Sequence, residues 1–257
     1  MRLGFSTVLG LVFVAAALFV RHRLQQTRFL VTYTLVTRSV EQNAAEGRAA
    51  GLEAIEVEGQ RALIRRPASG HDWVVYWGGM TEEYFRESVE VLAALGLPAD
   101  VGVLIVAPPG LDSPGHPSPE ALARDAGRTL AWLDAKEHPA KVVLASFSFG
   151  CFSVYAAAER PVAGAVMVGV SELLAAHDPG RLLRLRTPDL YERKPTPPRV
   201  EALVIQGSLD WPGDAEIVSR WLGSKLVMLP GLDHAPSRLH PETIRLMREF
   251  ILARLGR

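Results

Sequence analysis

Two serines stand two residues apart in KVVLASFSFGCF, Lys141 to Phe152. A serine hydroxyl becomes a useful nucleophile only when a base takes its proton, and that base is commonly a histidine held by a carboxylate. A nucleophile at the end of a buried strand also needs small neighbours, because the backbone must bend sharply to push the oxygen out of the sheet. The matching pattern is small-x-Ser-x-small, most often GxSxG. Ser148 has Ser146 and Gly150 at the two required positions, whereas Ser146 has Leu144 two residues before it. Ser148 is therefore the candidate, and Ser146 supplies a small side chain in the strand. Taken alone, the same residues also describe an ordinary buried strand running into a serine-capped helix.

The rest of the chain supplies the partners in the order acid, then histidine. LVIQGSLDWPG puts Asp210 just past the penultimate strand, and KLVMLPGLDHAP puts His234 just past the last one. Asp210 also suits a turn or helix cap, and His234 an exposed loop. Three coincidences at successive strand ends weigh against those separate readings. Among competitors, Glu172 is the best alternative acid. Asp214 belongs to the following helix, and Asp233 points away from where His234 would point. His240, before Pro241, reads as a helix cap. His71, His116, His138 and His177 lie in turns or near helix ends.

An acyl-transfer site also needs donors for the oxyanion, each worth roughly 3 kcal/mol. One is expected from the N–H of Phe149, directly after the nucleophile. The second is expected from the loop after WVVYWGGM, at Gly79 with Met80 next to it, because glycine lets the backbone approach a substrate oxygen. Trp77, Met80, Phe147 and Phe149 would give the site an apolar mouth if they face it; otherwise they are core.

The elements that must position these residues alternate along the chain. EAIEVEG and RALIRR read as adjacent strands, and WVVYWGG as a buried strand ending in two glycines. TEEYFRESVEVLAALG has helical periodicity, with Thr81 as a candidate cap. VGVLIVAPPG, KVVLAS, VAGAVMVGV, VEALVIQG and KLVMLPG are further strands. SPEALARDAGRTLAWLDAKEH, FGCFSVYAAAER and HPETIRLMREFILARLGR are helices. Apolar strands without polar alternation, separated by helices, predict an α/β fold with a parallel sheet covered on both faces. Arginine- and proline-rich residues 171–199 interrupt the pattern as a short cap insertion. No internal repeat is visible.

The chain has 257 residues, enough for one domain with a large core. Its 28 basic and 28 acidic residues are intermixed, which argues against nucleic acid as the partner, since phosphate binding needs a basic face. Cys151 is the single cysteine, so neither an intrachain disulfide nor a cysteine metal cluster can form. LGFSTVLGLVFVAAALFV, Leu3 to Val20, is uncharged and followed by Arg21, His22 and Arg23. It is just long enough to cross a bilayer. Residues 1–24 are read as a single-pass membrane anchor, with a cleaved signal segment ending near Ala15 to Ala17 as the competing reading. The basic flank favours a globular part on the cytoplasmic face. Residues 25–51 are a connector, and 52–257 the globular domain.

From about Glu53 onward the chain resembles the α/β-hydrolase superfamily. WGGMTEEYFRESVEVLAALG, APPGLDSPGHPSPEALARDAGRTLAWL and LVIQGSLDWPG follow the cadence of its membrane-anchored serine hydrolases, which carry serine peptidase or acylglycerol-lipase-like activities. The resemblance implies a mostly parallel eight-stranded sheet and a Ser148, Asp210, His234 triad. Trp77 stands where the family often has a histidine, Ser146 and Cys151 replace glycines, and PPGLDSPG departs from the usual loop. The expected activity is hydrolysis of a carboxylic ester, with a lipid-like acyl substrate and no metal or organic cofactor. The alternatives are a catalytically silent binding module at the membrane, and an acyltransferase or peptidase using the same triad.

Overall fold

The computed structural model of the protein describes residues 16–17, 45, 47–79, 84–107, 119–157, 160–170, 200–210 and 212–257. Eight strands form one sheet in the order β1-β2-β4-β3-β5-β6-β7-β8. They are β1 (Glu53–Val57), β2 (Gln60–Arg65), β3 (Asp72–Trp77), β4 (Val101–Val106), β5 (Lys141–Phe147), β6 (Gly164–Val168), β7 (Ala202–Gly207) and β8 (Lys225–Leu229). β2 runs antiparallel to both its neighbours, and every other pairing is parallel. Among the described residues, the helices that follow β3 are α1 (Tyr84–Leu95), α2 (Pro119–Glu137), α3 (Gly150–Ala157), α4 (Pro212–Leu222), α5 (His234–Ser237) and α6 (Pro241–Leu255).

The central strands are buried along nearly their whole length, as their unbroken apolar runs require. Strand β5 touches both α3 and α6; α3 packs on α2, and α6 on α1. The two helix pairs therefore cover opposite faces of the sheet. Each lays down an apolar stripe at helical spacing: Leu122, Ala126, Leu130 and Leu133 on α2, and Met247, Ile251 and Leu255 on α6. As expected, His240 caps α6, its Nδ1 accepting the Glu242 N–H at 3.3 Å.

Sheet order decides where a site can form. From β3 the chain moves outward to β4, then crosses back to place β5 on the other side of β3. Loops leaving β3 and β5 diverge there, opening the crevice in which parallel α/β sheets bind ligands. Register aligns Trp77 with Ser146 and Phe147 with Val168, so the glycines after β3, the serine after β5 and the glycine after β6 share one sheet edge.

Among the described residues no helix is long and apolar enough to cross a membrane. Apart from Ala16 and Ala17, the anchor expected over 1–24 lies outside the described residues, as do most of connector 25–51 and the whole cap expected over 171–199. Thr81 and Glu172 also lie outside them.

Candidate active site

β5 ends at Phe147, and Ser148 follows in the left-handed region at φ 53°. A non-glycine residue rarely adopts this conformation, and its cost is held by the surroundings. The Ser148 N–H donates to the Val168 carbonyl at 2.9 Å, tying the turn to the end of β6. A Cβ on Gly150 would sit 2.0 Å from the Trp77 carbonyl oxygen, so no side chain fits there. At the other small position, Ser146 is fully buried and its Oγ contacts Cys151 Sγ at 3.3 Å. Ser146 and Cys151 thus pack against each other beside the turn. Burial pushes the Cys151 thiol up to about 12, which keeps it protonated and unreactive.

Asp210 comes three residues after β7, its N–H bonded to the Gly207 carbonyl at 3.0 Å. The Gln206 amide donates to the Asp210 carbonyl, fixing the turn from below. His234 opens the one-turn helix α5. Asp233 caps that turn by accepting the His234 N–H at 2.7 Å, and Ser237 Oγ donates to the His234 carbonyl at 2.6 Å. Asp233 is therefore committed to the backbone, and Asp214 lies within α4.

The three side chains meet in line. His234 Nδ1 lies 2.8 Å from Asp210 Oδ2, and His234 Nε2 lies 2.8 Å from Ser148 Oγ. An ionised carboxylate only accepts, so Nδ1 carries the proton; in the neutral ring Nε2 is then the acceptor, and Ser148 donates to it. Asp210 is 1% exposed and Ser148 7%, so this chain of bonds sits in a poorly hydrated setting where each is strengthened. Among the described residues Asp210 Oδ1 is buried without a hydrogen-bond partner.

Around the imidazole the walls are specific. The Phe147 ring lies against it, centroids 5.0 Å apart. Gly169, at φ 62°, faces both rings; a Cβ there would meet Phe147 Cε2 at 3.0 Å and His234 Cε1 at 3.2 Å. The Arg238 guanidinium stands over the Phe147 ring, 5.7 Å from its centroid, and pairs with Glu87 of α1. Sequence reasoning missed Gly169, Glu87 and Arg238. Only Gly169 had a legible signal, as the glycine ending VAGAVMVG.

Of the expected oxyanion donors, Phe149 lies at the turn into α3 and Gly79 just past β3. A Cβ on Gly79 would come within 3.4 Å of Ser148 Cβ, so this backbone does lie beside the serine. Met80 lies outside the described residues. Among the aromatic candidates, Phe147 packs on His234. Trp77 is 2% exposed, and its carbonyl abuts Gly150. Phe149 is buried edge-on to Phe152, centroids 5.7 Å apart.

No family model and no curated protein matches the sequence. Solved structures do match. A hyperthermophilic esterase from the archaeon Pyrobaculum calidifontis superposes with a TM-score of 0.60 at 16% identity, over 92% of this chain and 97% of that one. Est1E from Butyrivibrio proteoclasticus gives 0.60 at 15% identity, over 80% and 99%. Dienelactone hydrolase from Anabaena variabilis gives 0.58 at 19% identity, over 79% and 97%. At such identities the likeness speaks for architecture alone, and it is in line with a mostly parallel eight-stranded sheet flanked by helices. The chain has the α/β-hydrolase fold.

Proposed function

We propose that the protein is a serine hydrolase that cleaves carboxylic esters through Ser148, His234 and Asp210. The observation that carries this reading is the unbroken line from Asp210 Oδ2 to His234 to Ser148 Oγ, with both contacts at 2.8 Å and the serine on a strained turn. In the first half-reaction Ser148 Oγ attacks the ester carbonyl while His234 Nε2 takes its proton. Asp210 holds the ring and stabilises the imidazolium. The tetrahedral oxyanion is received by the N–H groups of Phe149 and Gly79. His234 then returns the proton to the departing alkoxide, leaving an acyl-serine. Water attacks that ester, again giving its proton to His234, and releases the carboxylic acid and free Ser148.

Support for esters over amides comes from the fold neighbours, which include an esterase and an esterase/lipase from an uncultured bacterium. A lipid-like acyl chain fits the apolar Phe147 beside the base and the apolar amino-terminal segment. That segment is proposed to hold the domain at the cytoplasmic face of a membrane.

Fluorophosphonate labelling of the full chain, mapped by mass spectrometry, tests the nucleophile. The adduct is expected on Ser148 and absent in Ser148→Ala; folded protein that takes no label would instead be a silent binding module. Turnover of p-nitrophenyl palmitate exceeding that of the acetate supports the lipid-like substrate, and the reverse order refutes it.

A further inference from the structure

The loop carrying Gly78 and Gly79 leaves the sheet where β3 and β4 part, so its first N–H loses the ladder partner it would have had in the strand. A buried backbone donor needs another acceptor. Tyr84, the first residue of α1, supplies it. Its hydroxyl accepts the Gly78 N–H at 2.9 Å and donates to the carbonyl of Val106, the last residue of β4. One phenol thereby bridges the ends of two neighbouring strands. Because the hydroxyl both gives and receives, each bond polarises the other. The ring packs equally close: a Cβ on Gly78 would lie 3.0 Å from Tyr84 Cε2 and 2.6 Å from Ser88 Oγ. Ser88 Oγ in turn donates to the Tyr84 carbonyl at 2.7 Å, fixing the first turn of α1. Tyr84 is 1% exposed, and burial pushes its phenol well above the ordinary range, so it remains a neutral donor and acceptor across the working pH.

Two consequences follow for the site. The Gly78 N–H is already used, so the loop's donor to an oxyanion must come from further along. Gly79 is next, and its backbone lies against Ser148 and the Phe147 ring. We infer that Tyr84 is a positioning residue of the oxyanion hole, fixing Gly78 so that the Gly79 N–H is held at the place where the substrate oxygen becomes negative. Tyr84 touches no reacting atom; it acts through the loop. This rests on the serine-hydrolase reading and names a further part of the same site.

The test is Tyr84→Phe in the full chain, which keeps the ring and removes the hydroxyl. With a p-nitrophenyl ester, kcat is expected to fall roughly 10- to 100-fold while KM changes little, since a donor displaced by a fraction of an ångström costs transition-state binding first. Loss of stability alone would not alter how the enzyme discriminates the carbonyl oxygen. The deciding readout is therefore the rate ratio between an ester and its thionoester, whose sulfur is a poorer hydrogen-bond acceptor. The ratio is expected to drop several-fold in the variant. An unchanged ratio overturns the proposal, whether or not kcat falls. If Tyr84→Phe does not fold, 3,5-difluorotyrosine at this position keeps the hydroxyl but weakens it as an acceptor. A lowered ratio there supports the proposal and an unchanged one overturns it. Fluorophosphonate labelling of the unaltered chain separates the two levels: no adduct on Ser148 defeats the hydrolase reading itself, whereas an adduct with an unchanged ratio defeats only the role of Tyr84.

Discussion

At the scale of single residues, the site depends on which groups are charged and which are kept neutral. Asp210 is buried with the His234 Nδ1–H as the described partner of its Oδ2. Asp210→Asn keeps the shape but offers an amide that can turn its own N–H toward the ring, reversing the tautomer. The expected result is a folded protein whose kcat is lower by roughly ten-thousand-fold, read from ester hydrolysis beside an unchanged melting curve. Cys151 behaves oppositely. Its ordinary value of 9.0 is raised by burial to about 12, so the unfolded chain releases the thiol proton at lower pH than the folded one. Between those values the folded state binds more protons, and stability must fall as pH rises. The buried Tyr76 and Tyr84, raised from 10.0 by their own burial, add to this slope at higher pH. Denaturant titrations across that range should show the decline in the native sequence and a flatter profile in Cys151→Ala. Iodoacetamide should leave the native thiol unmodified.

At the scale of elements, the geometry of the site is a matter of how closely backbones approach. The turn from β5 into α3 passes over the end of β3, and Gly150 is the point of closest contact. Alanine there would place a Cβ 2.0 Å from the Trp77 carbonyl and 2.7 Å from that of Gly78. Neither atom is the free end of a side chain, so the turn itself must move. Gly150→Ala is expected to cost about 2–3 kcal/mol in chemical denaturation and to abolish labelling of Ser148. A second link joins α1 to the segment after α5. Arg238 and Glu87 pair with side chains 16% and 20% exposed, while the guanidinium covers the Phe147 ring that flanks His234. A double-mutant cycle with Arg238→Met and Glu87→Gln should return a coupling of about 1–2 kcal/mol. A coupling near zero would show that the pair contributes nothing to holding the histidine wall.

At the scale of the whole molecule, one sheet edge collects every part of the proposed chemistry, and the amino-terminal segment is proposed to hold that edge at a membrane. With 18 uncharged residues from Leu3 to Val20, the full chain is expected to stay with the membrane pellet after alkaline carbonate extraction. Release into the supernatant would remove the membrane from the proposal and, with it, the main argument for a lipid-like substrate. The sequence alone determined much of this picture. Apolar runs at Trp73–Gly79, Lys141–Ser146 and Val200–Gly207 read as buried strands, and the small residues flanking Ser148 favoured it over Ser146 for a sharp turn, a reading that needed Asp210 and His234 beside it. The order serine, aspartate, histidine at three strand ends was legible because those residues are placed by strands, whose ends periodicity reveals. What only the tertiary structure decided is lateral. Nothing in the chain announces that β4 lies outside β3, that Tyr84 reaches back to Gly78 and across to Val106, or that Gly169 must stay bare beside His234. Those contacts join residues whose spacing follows no helical or strand period. They arise from the register of neighbouring strands and the close packing at the sheet edge, which no local pattern encodes.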